Sequence, residues 1–220
     1  MHFTPSEQIV DDCLSCLSPN EVRRAERFRR IIDREQFIIS KGLTRQVLGH
    51  LLNQSAREVC FQVGEHGKPC VAGLEFNTSH SASTLAITLS KTAPVGIDIE
   101  FSDRDVNFEQ VAHLLFSSAE QNVWQGLPLL QQQKVFFETW VAKEAYLKAR
   151  GLGLNHLLPK ISVPKNNETG QTRLHDLEYG GKNVIQFLKS HNPTLCGAVV
   201  VLNCETVELR LCEQNVMTLD

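Results

Sequence analysis

Positive charge is not in excess in this sequence. Its 22 lysines and arginines stand against 25 aspartates and glutamates, for a formal net charge of −3, so composition gives no reason to expect nucleic acid as a partner. Long apolar runs are missing too, and nothing approaches the roughly 20 residues of a membrane-spanning helix. The opening stretch, MHFTPSEQIVDDCLSC, carries acids and lacks the basic–apolar–small layout of a secretory signal. These absences predict a cytoplasmic protein without a membrane partner. No second C-x-x-C accompanies Cys13 and Cys16 to complete a zinc site. The seven cysteines, odd in number and scattered, are expected to be free thiols, mostly in apolar surroundings as at Cys60, Cys196, Cys204 and Cys212. No internal repeat is visible. What is present is 220 residues, 42% hydrophobic and 21% charged, the composition of a globular chain with one large or two small domains.

Within that ordinary background, residues 95–100 read VGIDIE. Apolar residues alternate with Gly96, Asp98 and Glu100, the period of a β-strand with two different faces. Asp98 and Glu100 then leave the same face, and two like charges side by side call for something positive between them. Oxygen ligands at this spacing suit a hard cation, Mg²⁺ or Mn²⁺, rather than Zn²⁺. The plainer account is a strand end whose acids are solvated. A second stretch, FETWVAKEAYLKAR at 137–150, is rich in helix formers and free of Gly and Pro. Trp140, Glu144 and Lys148 stand at i, i+4 and i+8 and share a stripe, with Lys143 beside it. Gly151-Leu-Gly153 marks the expected stop. An ordinary Glu144–Lys148 surface ion pair is the plainer account here.

The rest of the chain reads as mixed helix and strand. A short helix is expected over 6–17. Ser18 caps a second helical stretch with Pro19 at its first position, and Val22 to Asn53 continues it, with breaks expected near Asp33 or Gly42. Its first part is strongly basic, either a solvated face or a phosphate patch. Residues 57–63 look like a strand and 64–69 a turn containing Lys68 and Pro69. Thr84 to Leu89 is predicted to pair with VGIDIE as a hairpin. Ser117 or Ser118 with Glu120 has the form of a helix cap after a helix over 108–115. Strands are expected at 184–188, 197–202 and 207–211, an exposed loop at 165–171, and a frayed end at 215–220.

VGIDIE followed some forty residues later by WVAKEAYLK resembles the paired signature of the 4′-phosphopantetheinyl transferases, G-[IV]-D-[IV]-E and W-x-x-K-E-A-x-x-K. The G-K-P triplet at 67–69, FNTSHS at 76–81 and F-S-x-x-E at 116–120 fit the same family, and together resemble its broad-range, surfactin-type branch. The resemblance covers residues 18 to 202 and implies an α+β fold. Two similar α/β halves in one chain, 1–94 and 95–220, would form a pseudo-dimer with the active site between them. It implies transfer of the 4′-phosphopantetheine arm of coenzyme A to a serine of an apo acyl or peptidyl carrier domain, with 3′,5′-ADP leaving and Mg²⁺, or Mn²⁺, required. Asp98, Glu100 and Glu144 would hold the metal. Lys143 and Lys148 would meet the phosphates, Ser79 and His80 would grip the diphosphate, and Lys68 and Pro69 would lie against the adenine and its phosphate. Arg24 and Arg27 would hold the 3′-phosphate, although Glu21 stands where some relatives carry a base. Glu144, Glu120, Lys148 and His80 are the candidate catalytic residues, with Glu144 or Glu120 as base. The long form implies a monomer. A coenzyme A- or nucleotide-binding module without transfer, and a metal-dependent phosphohydrolase, are the alternatives; the full set of three carboxylates and two lysines weighs against the first, and the lack of a second metal motif against the second.

Overall fold

The structure, a computed structural model, describes residues 6–104, 106–153, 158–164, 171–176, 180–210 and 212. The chain divides into two compact units. One takes the chain up to Phe61 together with the stretch from Leu209, and the other runs Gln62–Glu208.

In the first unit, Ser6 caps α1 (Glu7–Ser15) and Ser18 caps α2 (Pro19–Ala25), the latter in a reciprocal capping box with Glu21. The helical stretch then breaks over residues 26–30 and resumes as α3 (Ile31–Leu52). The break lies upstream of both predicted positions. Arg23, Arg27, Arg30 and Arg34 would form a single column of like charge in an unbroken helix, which disfavours continuity there. Gly42, far from breaking α3, lets it approach α1, since a Cβ there would run into Cys13. Cys13, Leu17, Ala25 and Ile38 form the buried core between these helices. Arg45 is buried against Glu21 at 2.7 Å and donates to the carbonyls of Ala56 and Val59, both at 3.0 Å. The acid at position 21 thus balances a buried guanidinium while closing its own helix cap.

The second unit opens with a short pair, β1 (Gln62–Val63) and β2 (Pro69–Cys70), followed by β3 (Glu75–Ser81) and β4 (Thr84–Ser90), which form a hairpin. β5 (Val95–Phe101) comes next, then α4 (Phe108–Leu115), α5 (Ser118–Gln125) and α6 (Leu129–Arg150). β6 (Ile161–Ser162), β7 (Gln171–Asp176), β8 (Asn183–Phe187) and β9 (Leu195–Val201) complete an antiparallel sheet in the order β5-β9-β8-β7-β6. The expected hairpin between 84–89 and VGIDIE is therefore corrected: β4 pairs back onto β3, and β5 pairs with β9, Asp98 opposite Ala198. Residues 207–210 form no strand, and the expected loop at 165–171 and frayed end at 215–220 lie almost wholly outside the described residues.

α6 is longer than the stretch 137–150 because Pro128 starts it eight residues earlier. Val141, Ala142, Ala145, Tyr146 and Ala149 pack it on the sheet with Ile185, Ala198 and Val200. A second cluster joins Phe116, Trp124, Phe136 and Phe137 between α4, α5 and α6, with Phe116 and Trp124 rings 5.3 Å apart. The cysteines are all free, as expected, but only Cys13 is fully buried, and Cys60 and Cys212 are exposed. Among the described residues no helix is long and apolar enough to cross a membrane.

Candidate active site

The strand and the helix that carry the two motifs cross in backbone contact. A Cβ on Gly96 would collide with the carbonyl of Ala145 and the amide of Ala149, so the glycine of VGIDIE sets how closely β5 approaches α6. α6 ends at Gly151, whose φ of 72° closes the helix in the left-handed region. Lys68 ties the crossing together, donating to Val95 O at 3.1 Å and Ala149 O at 3.2 Å. Burial lowers its pKa, and its nearest acid, Glu75, is 3.9 Å away. The Lys68 ammonium thus sits on two main-chain carbonyls, one of them at the negative end of α6. Pro69 begins β2 and is half-buried.

Three carboxylates meet electrostatically at this crossing. Asp98 is buried, and its Oδ1 accepts from Lys148 Nζ at 2.7 Å and from Ser79 Oγ at 2.8 Å. Burial holds its carboxyl above the usual aspartate range, against the pull of Lys148 and Ser79. Glu100 Oε2 accepts from Ser81 Oγ at 2.7 Å and from Arg104 at 2.6 Å. Glu144 is buried on α6, and burial together with the charges of Asp98 and Glu100 pushes its carboxyl up to about 7, against Lys148. Asp98 Oδ2 and Glu144 Oε1 are buried without a hydrogen-bond partner among the described residues. Buried carboxylate oxygens in that condition are costly unless something cationic is supplied.

The donor set is all carboxylate oxygen, the set that suits a hard divalent cation. Two unpartnered oxygens, one from the strand and one from the helix, fit such an ion. Among the described residues no three His, Cys, Asp or Glu side chains are already gathered in a metal-holding arrangement. Lys148 and Arg104 instead neutralise Asp98 and Glu100.

The remaining predicted residues are distributed differently. Lys143 is wholly buried, and its ammonium donates to Leu115 O and to Glu120 Oε2, both at 2.7 Å. Burial lowers its pKa while Glu120 opposes the shift. Glu120 also accepts from Ser117 N in a capping box and, through Oε1, from Val163 N at 2.9 Å. Both of its oxygens are engaged in joining α5, α6 and the residue that follows β6. His80 is exposed on β3, between the buried Ser79 and Ser81. Arg24 and Arg27 are exposed in the first unit, where the Arg24 guanidinium lies 5.3 Å from the Phe37 ring centre. Sequence reasoning missed Ser81 and Arg104 as partners of Glu100. The alternation N-x-S-x-S in FNTSHS carried the signal for Ser81, because alternate strand residues share a face.

A model of the 4′-phosphopantetheinyl transferase superfamily matches residues 94–199, and one described as 4′-phosphopantetheinyl transferase, N-terminal, matches residues 1–92. The chain is 35% identical to the 4′-phosphopantetheinyl transferase HetI of Nostoc sp. over 157 residues, 69% of this chain and 66% of that protein. It is 29% identical to the 4′-phosphopantetheinyl transferase Sfp of Bacillus subtilis over 191 residues, 86% of this chain and 79% of that one. The match to HetI thus spans just under two thirds of that relative's length. A solved holo-(acyl-carrier-protein) synthase from Bacillus anthracis, in complex with CoA (3′,5′-ADP), aligns with 50% of this chain and 95% of its own at 26% identity and a TM-score of 0.41. With the signature strand and signature helix brought into contact and family matches running from residue 1 to 199, this chain belongs to the 4′-phosphopantetheinyl transferase superfamily, in its Sfp-like branch.

Proposed function

We propose that the protein transfers the 4′-phosphopantetheine arm of coenzyme A to a serine of an apo acyl or peptidyl carrier domain. The observation that carries this reading is the pair of buried, unpartnered carboxylate oxygens, Asp98 Oδ2 and Glu144 Oε1, where the two family motifs cross. In the reaction the carrier serine Oγ forms a bond to the β-phosphorus, the bond to the departing 3′,5′-ADP oxygen breaks, and the serine proton passes to a base. Asp98, Glu100 and Glu144 would hold Mg²⁺, or Mn²⁺, which when bound supplies charge neutralisation on the diphosphate. Lys148 lies within reach of the same site, on Asp98 Oδ1, and is suited to meet phosphate as a point charge. Glu144 is the better of the two candidate bases. Its Oε1 has no hydrogen bond, whereas both oxygens of Glu120 are taken. His80 is an exposed donor on β3, and Arg24 and Arg27 are exposed cations suited to a phosphate.

The same reading divides the chain into halves at 94/95, close to the boundary between the two family matches, arranged as a pseudo-dimer that works as a cytoplasmic monomer. Intact-protein mass spectrometry of an apo carrier domain, incubated with the protein and coenzyme A, tests the reading. A gain of one phosphopantetheine is expected with Mg²⁺, and none with chelator or with Asp98→Ala. No gain on any of several carriers, with coenzyme A still bound, would leave a binding module. A sedimentation run giving a stable oligomer would overturn the monomer.

A further inference from the structure

β5 lies at one end of its sheet, with β9 on one side only. Its other edge would leave main-chain N–H groups exposed or unsatisfied. Side chains of β3 fill that role in a regular register. Asn77 Oδ1 accepts from Ile97 N at 3.0 Å, Ser79 Oγ from Ile99 N at 3.3 Å, and Ser81 Oγ from Phe101 N at 3.4 Å, each pair twenty residues apart. All three side chains are buried. The hairpin face thus substitutes for a neighbouring strand.

We propose that Ser79 and Ser81 are positioning residues that aim the Asp98 and Glu100 carboxylates into the site. A serine hydroxyl has one proton to donate and two lone pairs to accept with. Ser79 gives its proton to Asp98 Oδ1 and accepts from Ile99 N and from Lys148 Nζ, the last at 3.1 Å. Ser81 gives its proton to Glu100 Oε2 and accepts from Phe101 N. Each hydroxyl is held by the main chain of the residue that follows the carboxylate it orients, so hydroxyl and carboxylate cannot rotate independently. For Asp98 this fixes Oδ1 and leaves Oδ2 as the free oxygen. Ser79 has its full complement of hydrogen bonds within the protein, and they tie it to Asp98, Ile99 and Lys148. His80, between the two serines, lies on the opposite, exposed face of β3.

This inference rests on the reading of Asp98 and Glu100 as metal ligands, and its test separates the two. In the metal-free protein, Ser81→Ala should speed amide exchange at Phe101 tenfold or more and shift the Glu100 carboxyl ¹³C resonance, leaving Ile97 and Asp98 unchanged. Ser79→Ala should do the same at Ile99 and Asp98. Binding of Mn²⁺, followed by electron paramagnetic resonance, should weaken ten- to a hundredfold in Ser81→Ala, and Ser81→Thr, which keeps the hydroxyl, should recover most of it. In a Glu100→Gln background Ser81→Ala should add no further loss of Mn²⁺ binding, and in Ser81→Ala alone, at saturating metal, the KM for coenzyme A should stay within twofold. Unchanged amide exchange and carboxyl resonance in both alanine variants would overturn the proposal. So would a raised KM for coenzyme A with undiminished Mn²⁺ binding. A wild-type protein that binds no Mn²⁺ would instead defeat the metal reading, with the metal-free resonances still deciding the serines' role.

Discussion

Replacing Glu144 with glutamine should stabilise the metal-free protein while removing its activity. The glutamate is buried, one of its oxygens has no partner, and Asp98 and Glu100 bear on it with like charge. Its carboxyl is held from 4.5 up to about 7. A carboxyl raised in the folded state supports folding when protonated and opposes it when ionised, so the metal-free fold loses stability as pH rises from about 4.5 through about 7. Each pH unit across that window is worth about 1.4 kcal/mol, which puts the loss at roughly 3 kcal/mol by pH 8 and about 1 kcal/mol at pH 5. Glutamine has nearly the same shape and no charge to lose. In chelator, Glu144→Gln should therefore gain about 2 kcal/mol over wild type between pH 5 and pH 8, or on the order of 4–8 °C in Tm for a chain of this size. Adding Mg²⁺ or Mn²⁺ at pH 8 should raise the wild-type Tm and leave that of the variant in place. Thermal unfolding by circular dichroism at both pH values, with and without metal, reads all four quantities. Identical melting of wild type and variant at pH 8 in chelator would refute the argument, because Glu144 would then be a solvated carboxylate.

Gly96→Ala should destabilise the fold by about 3 kcal/mol or more, since the new methyl meets main-chain atoms of Ala145 and Ala149 that cannot swing aside; chemical denaturation measures this. Lys143→Met should lose about 3–5 kcal/mol by stranding Glu120, and Lys143→Met with Glu120→Leu should recover much of the loss, which a double-mutant cycle on unfolding free energy checks. Arg24→Ala should raise the KM for coenzyme A severalfold with little change in kcat, because a phosphate contact remote from the reacting atoms is the same before and during transfer. An unchanged KM would release Arg24 from the binding site.

The parts of this fold that were legible in the sequence are those with local causes. Ser18-Pro19 and Ser117 with Glu120 announce helix starts because a cap is made within three residues. Gly151 announces an end for the same reason. VGIDIE reads as a strand from its alternation. Pairing was not legible in that way. The interval between Leu89 and Val95 invites a hairpin, yet β5 turns to β9, nearly a hundred residues on, because Val199 and Ala198 offer it a sheet and β4 is already taken by β3. α6 shows the opposite difficulty: its residues 141–147 are buried on every side, so no apolar stripe marks its face, and Pro128 rather than periodicity fixes its beginning.

The same division runs through the site. Asp98, Glu100 and Glu144 stand out because carboxylates on a buried strand and a buried helix need a chemical reason to be there. What their neighbours do depends on distances no spacing contains. Lys143 and Lys148 are five residues apart on one helix and both look like phosphate ligands, but the helical turn sends the first into Glu120 and Leu115 O and the second to Asp98. Lys68 likewise reads as a turn cation before proline, and its long side chain carries the ammonium to the carbonyls of Val95 and Ala149. A basic residue in a signature motif therefore has two ways to serve a polyanion site. It can meet the anion directly, or it can neutralise acids and dipoles of the protein itself, the arrangement in which Lys143, Lys148 and Lys68 all stand in this structure. Each of the three ammonium groups has two protein acceptors, and what separates them is burial, complete for Lys143 and partial for Lys68 and Lys148, which a motif does not contain.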